Sequence, residues 1–389
     1  MVVQGRARQP GVAPARDGLA AASQTGCASW GRDRTGRFTT RGMASRSWRG
    51  SHLVEPGADA VAVCGSPRRV CHRMRPELRH RLTLGPLIAG AVFGLLAWDF
   101  ASGRHLGLLA ILAVSVAFGC RELQRMAREA TGPVQIMPMV VISYCLLFSA
   151  YVRGDPTAGA FLREHSIYLI DRLQGMPLTE VLLALGLVWA TLIQMSRRAW
   201  ELFFTNVSLT MFGMIYIGVT VSLMLGLAMV PGTAGYYGEP GDAHAVTYAN
   251  RGNQLLLLYI TSCKLGDVTA FFGGKAFGRH KMAPRISPGK TWEGFACSFV
   301  GAIGGAYLLS WAFSQWCDHG PFNAWWQPAV WGLILGPLGV VGDLAESCMK
   351  RQASRKDSGA SIPGFGGWLD LFDALILAAP VAYVLALIL

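Results

Sequence analysis

Charge is scarce in this chain, and that scarcity excludes ordinary soluble folds. Only 15% of its 389 residues are Asp, Glu, Lys or Arg, while 52% are hydrophobic. A soluble domain carries about 25% charged residues. No C-x-x-C pair occurs among the nine cysteines. They read as small apolar packing residues and not as zinc ligands or a disulfide framework. An internal repeat is also lacking, which removes the inverted-repeat plan of many secondary transporters. The net charge of +12 is not spread along the chain: residues 1–81 hold 15 Arg against 5 acidic residues. With the remainder nearly balanced, the basic total gives no ground for nucleic-acid binding.

What the chain has instead is a series of apolar runs, each close to the roughly 20 residues that cross a bilayer as a helix. Nine are expected, at 82–100, 105–120, 133–152, 178–195, 205–230, 252–272, 293–314, 329–347 and 369–389. Lipid leaves no solvent partner for backbone amides, so the spans must be helical. The expected fold class is an all-α polytopic membrane protein. Alternate connections hold fourteen Lys and Arg, around residues 121–128, 197–198, 275–290 and 350–356, against five in the others. That asymmetry predicts a cytoplasmic N-terminus, an external C-terminus and motif-bearing loops facing the cytoplasm. Residues 1–79 lack apolar periodicity and are expected to be a disordered basic tail, read either as an over-extended start before Met74 or as a transit-like segment. Residues 80–389 form the membrane domain, with chemistry concentrated in 255–389. Arg121, Glu122 and Arg125 read as an interfacial helix end.

Two polar stretches interrupt the apolar pattern. The first runs from Ser347 to Asp373, SCMKRQASRKDSGASIPGFGGWLDLFD, between the last two spans. Ionisable groups beside membrane spans are costly unless paired or used, which makes Asp343, Lys350, Lys356, Asp370 and Asp373 a candidate site. On a helix Asp343, Ser347 and Lys350 share a face, as do Asp370 and Asp373. Carboxylates on facing helices suit Mg²⁺, and lysines with a glycine-bearing loop at Gly366 and Gly367 suit the phosphates that accompany it. The second stretch is KLGDVTAFFGGKAFGRHKMAPRISPGKTWEG, residues 264–294. Its GKT is not a P-loop, because Pro284 stands where that motif needs glycine. It offers Asp267, Lys275, Ser287, Lys290, Thr291 and Glu293 around a helix start, as an anion site or simply as a helix cap.

Both stretches resemble signatures of the phosphatidate cytidylyltransferase (CDP-diacylglycerol synthase) family. In the first, Ser347, Lys350, Arg351, Lys356, Asp357, Gly359, Ile362, Pro363, Gly366, Gly367, Asp370, Phe372 and Asp373 fit the pattern. Phe365 and Leu371 replace its histidine and arginine, and Trp368 stands where a smaller apolar residue is usual. In the second, Asp267, Ala270, Phe271, Gly274, Lys275, Ser287, Pro288, Lys290, Thr291, Trp292, Glu293 and Gly294 fit.

The resemblance implies an integral protein of the cytoplasmic membrane that joins phosphatidate to CTP, giving CDP-diacylglycerol and pyrophosphate for phospholipid synthesis. It also implies a homodimer. The metal expected is Mg²⁺ on Asp343 and Asp370 with Asp373 in support, a second cation being left open. Lys350 and Lys356 would hold lipid phosphate or triphosphate. Lys290, Ser287 and Thr291 would hold nucleotide, with Asp267, Lys275, Glu293, Ser347, Arg351 and Asp357 completing the substrate site. The rival readings are a CTP- or ATP-dependent kinase of an isoprenoid or phytyl alcohol, which would need a positioned base, and an ion-coupled transporter.

Overall fold

The structure, a computed structural model, describes residues 90–99, 101–102, 104–132, 134–155, 177–197, 200–231, 251–317, 320–355, 358–359, 361 and 366–389. The basic tail at 1–79 lies outside them. The first expected span is represented by α1, Gly90–Asp99. After it come α2 (Leu106–Ala130), α3 (Ile136–Gly154), α4 (Leu178–Ser196), α5 (Trp200–Ala228), α6 (Arg251–Phe277), α7 (Trp292–Trp316), α8 (Gln327–Gln352) and α9 (Leu369–Ile388). These eight are long and apolar enough to cross a membrane, and α1 is shorter among the described residues. Within α5, residues Met214–Val219 form a π-helical turn.

One feature of the fold was not expected. Between α6 and α7 the chain makes an antiparallel hairpin, β1 (Lys281–Ala283) with β2 (Ser287–Thr291), pairing Lys281 with Thr291 and Ala283 with Ser287. The Ser-Pro-Gly-Lys-Thr segment is therefore extended and reaches helix only at Trp292. Pro288 suits an edge strand, where its missing N–H costs no ladder bond.

Packing is densest among α6, α7 and α8, with α9 laid against α8 and α5. In lipid there is no hydrophobic drive between helices, so close association depends on small residues that let backbones meet. Gly266 on α6 sits so near α8 that a Cβ there would lie 3.2 Å from Gly336 Cα. At Gly332 a Cβ would fall 2.5 Å from Ile303 Cα on α7. The Tyr259 hydroxyl on α6 donates to the Leu375 carbonyl of α9, and the Gln327 side-chain amide donates to the Leu389 carbonyl, closing the far end.

This packing gives a direct test. Gly332→Ala should destabilise the bundle by about 1–3 kcal/mol through overpacking, seen as a lower unfolding midpoint in detergent. Gly304→Ala, where nothing lies within 4 Å of the new methyl, should leave the midpoint unchanged or raise it, because alanine favours the helix.

Candidate active site

The loop after α8 is held by a carboxylate from the other half of the chain. Glu122, on α2, is fully buried. It accepts hydrogen bonds from Ser358 Oγ at 3.2 Å, Ser361 Oγ, Trp368 N at 2.9 Å and Leu369 N at 2.9 Å. The first turn of α9 is thus capped by a side chain from α2, where free N–H groups and the helix dipole favour a negative charge. The expectation of an interfacial helix end at Glu122 is corrected. The helix runs on to Ala130, and Glu122 faces inward. A second clasp nearby is the ion pair of Arg355 with Glu129.

The loop's glycines serve this clasp. Gly366 has φ +99°, a left-handed conformation that costs glycine nothing. A Cβ on Gly367 would overlap the Ser358 hydroxyl and lie 2.7 Å from Glu122 Oε2. Trp368, large where a small residue was expected, stacks between Phe118 at 5.6 Å and Phe372 at 5.7 Å.

Below the loop, carboxylates and ammonium groups gather. Lys350 Nζ lies 2.8 Å from Glu346 Oε2 and 2.9 Å from Asp370 Oδ1. Asp370 Oδ2 also accepts from Gly367 N at 2.7 Å and from Ser358 N at 3.3 Å. Lys290 reaches from β2 to Asp343 Oδ2 at 2.9 Å and to the Val340 carbonyl at 2.7 Å. Lys264 on α6 meets Asp373 Oδ1 at 3.5 Å. Asp267, one helical turn from Lys264, is within electrostatic range of Asp343, Asp373, Lys264 and Lys290. Ser347 Oγ donates to Asp343 Oδ1 at 3.4 Å.

Within the cluster Asp343, Glu346 and Asp373 can each place a carboxylate oxygen within 4.8 Å of the others. Asp370, expected beside Asp343, is taken up instead by Lys350 and the loop amides. Glu346 was not anticipated, although its i,i+4 spacing to Lys350 was a usable signal. Tyr216, in the π-helical turn of α5, is a second addition. Its buried phenol is within electrostatic range of Glu346 and Asp373. Among the described residues neither its hydroxyl nor Glu346 Oε1 has a hydrogen-bond partner.

Beside this cluster a cleft of about 260 Å³ is lined by Asp267, Phe271, Ser287, Lys290, Thr291 and Asp343. Several expected residues make their bonds to the chain around it. Thr291 is the N-cap of α7, its hydroxyl accepting from Gly294 N at 3.1 Å. Glu293 turns back to accept from Arg279 N at 3.1 Å and His280 N at 3.2 Å, and pairs with His280 Nδ1 at 2.6 Å. Arg351 Nε holds the hairpin turn through the Ile286 carbonyl at 3.1 Å, and Lys275 lies 5.2 Å over the Phe271 ring. Lys356, Asp357 and Phe365 lie outside the described residues.

Comparison with known proteins adds to this geometry. The model of a family described as the cytidylyltransferase family matches residues 81–389. A phosphatidate cytidylyltransferase of Brucella abortus is 41% identical over 117 residues, 30% of this chain and 41% of that protein. Phosphatidate cytidylyltransferase 5, chloroplastic, of Arabidopsis thaliana is 38% identical over 189 residues, 46% of this chain and 45% of that protein. A phosphatidate cytidylyltransferase of Rickettsia bellii is 30% identical over 191 residues, 49% of this chain and 74% of that protein. The chain thus spans less than half the length of the first two relatives.

The clasp on the loop is testable apart from any activity. A hydrogen bond to a charged acceptor contributes about 1.5–3 kcal/mol, and Glu122 accepts four. Glu122→Ala should therefore cost more than about 3 kcal/mol and open the chain around Ser358, Ser361 and Trp368 to limited proteolysis, with Glu122→Gln intermediate. A loop as protected in the alanine variant as in the parent would refute the clasp.

Proposed function

The chain belongs to the cytidylyltransferase family, and we propose that it transfers a cytidylyl group from CTP to phosphatidate, giving CDP-diacylglycerol and pyrophosphate. The observation that carries this reading is the cluster of five carboxylates and three ammonium groups at one end of a membrane bundle, next to a cleft under a hairpin. A lipid phosphate can reach such a place from the bilayer, and a nucleotide from water. The names of the relatives support the substrate pair.

The donor set fits a hard divalent cation. The five carboxylates outnumber the three ammonium groups by two in a partly buried cluster, an excess that a divalent ion would offset. Glu346 Oε1, buried and without a partner among the described residues, is the orphan that such an ion would satisfy. Asp343, Glu346 and Asp373 are the residues to hold Mg²⁺. When bound, it would spread the charge that develops on the phosphoryl oxygens and the departing pyrophosphate. A second cation and assembly as a homodimer rest on the family resemblance alone.

The remaining steps belong to the chain's own groups. An oxygen of the lipid phosphate attacks the α-phosphorus of CTP. The new P–O bond forms as the bond to the α,β-bridging oxygen breaks, and pyrophosphate leaves with that electron pair. The attacking oxygen is already anionic, so no base is required, and Phe365 in place of the pattern's histidine is compatible with the chemistry. Lys290 and Ser287 hold the nucleotide in the cleft. Lys350 keeps Glu346 and Asp370 in register and, with Lys356, screens phosphate charge. Gly366 and Gly367 admit close backbone approach. The tight bonds of Thr291 and Glu293 favour a positioning role, fixing the hairpin that carries Lys290. Such fixed cations and donors, aligned before reaction, are what this kind of transfer needs. The excess of Lys and Arg in the connections of the hairpin end supports an orientation with the site toward the cytoplasm, in the cytoplasmic membrane.

The test is incorporation of labelled CTP into chloroform-soluble product by the purified protein in detergent. Product should require both phosphatidate and Mg²⁺, vanish with chelator, and fall at least about 100-fold in Asp343→Asn and Glu346→Gln. If folded protein leaves CTP untouched with phosphatidate present, the proposed transfer is wrong, and isoprenoid alcohols become the substrates to try.

A further inference from the structure

Lys264 is the one ammonium of the cluster that neither signature stretch required. It is the fourteenth of the 27 residues of α6, about 20 Å along the axis from Phe277. Charge on a membrane helix is costly and is retained for use. Its engagement also differs from that of the other two lysines. Lys350 holds two carboxylates at 2.8 and 2.9 Å, and its side chain is 14% exposed. Lys290 holds a carboxylate at 2.9 Å and a carbonyl at 2.7 Å and is 18% exposed. Lys264 is 40% exposed, and among the described residues its hydrogen-bond partner is Asp373 alone, at 3.5 Å. An ammonium has three donors, so two remain for a ligand.

The surroundings narrow the ligand. Lys264, Asp267 and Phe271 follow at i, i+3 and i+7 and share one face of α6. Asp267 and Phe271 also line the cleft that holds Lys290 and Ser287. On the same side Val268 and Phe271 are exposed apolar residues. A half-exposed cation on a membrane helix, bordered by exposed apolar side chains and sharing a helix face with two residues of the cleft, matches an anionic headgroup with acyl chains better than a wholly polar nucleotide. Building on the transferase reading, we propose that Lys264 is a specificity-determining residue that binds the phosphate of the lipid substrate from the bilayer side. Lys290 and the hairpin are left to the nucleotide.

Two measurements on the full-length protein in detergent test this. In turnover, Lys264→Met should raise the KM for phosphatidate at least 10-fold and leave that for CTP within twofold, and Lys264→Arg should recover most of the loss. A rise confined to CTP, or a fall in kcat with both KM values unchanged, overturns the assignment. The second needs no turnover. Short-chain phosphatidate should raise the unfolding midpoint of the parent protein more than short-chain diacylglycerol does, and Lys264→Met should abolish that difference. If the difference persists in the variant, Lys264 does not bind the phosphate. If the difference is lost in the variant but the parent makes no liponucleotide, the headgroup site stands and the transferase reading fails.

Discussion

A bilayer does not tolerate charge that lacks a partner, and the arrangement of this protein follows from that. Asp267, Asp343, Glu346, Asp370 and Asp373 could not share one end of a bundle unless cations were threaded between them. Lys264, Lys290 and Lys350 arrive from three different elements to do so. The carboxylates still outnumber the ammonium groups by two, an excess that the proposed divalent ion would offset. The helices carrying these groups must in turn approach closely, which is why glycine lines the contacts of α6, α7 and α8.

The hairpin between α6 and α7 supplies what helices alone cannot. A helix presents side chains around its whole circumference, whereas β2 extends Lys290 sideways over α8 as far as the Val340 carbonyl. Thr291, Glu293 and Arg351 fix this strand from both flanks. In the structure their polar atoms are bonded to the chain around the strand that carries Lys290.

Much of the site could be read from spacing, because helices convert sequence separation into neighbourhood. Asp343, Ser347 and Lys350, and likewise Asp370 and Asp373, fell on common faces, and the structure brings these groups together. The apolar runs gave the long helices for the same reason. What escaped was whatever depends on a partner far along the chain. Glu122 bonds Leu369 across 247 positions and Lys264 meets Asp373 across 109, and no local period encodes either contact. The hairpin escaped for a different reason: Ser-Pro-Gly-Lys-Thr carries the same cues as a helix start, and only the pairing of Lys281 with Thr291 distinguishes the two. The basic tail, Lys356 and Asp357 lie beyond what the fold describes.

The bond between Glu122 and the start of α9 also has a meaning for biogenesis. Helix α2 leaves the ribosome more than two hundred residues before α9 does, so its carboxylate must wait without the amides that finally hold it. The loop below cannot take its final shape until the last helix has entered the membrane. A chain stopped short of residue 369 would lack the amides of Trp368 and Leu369 as a pair, and Glu122 would be left buried without the start of α9.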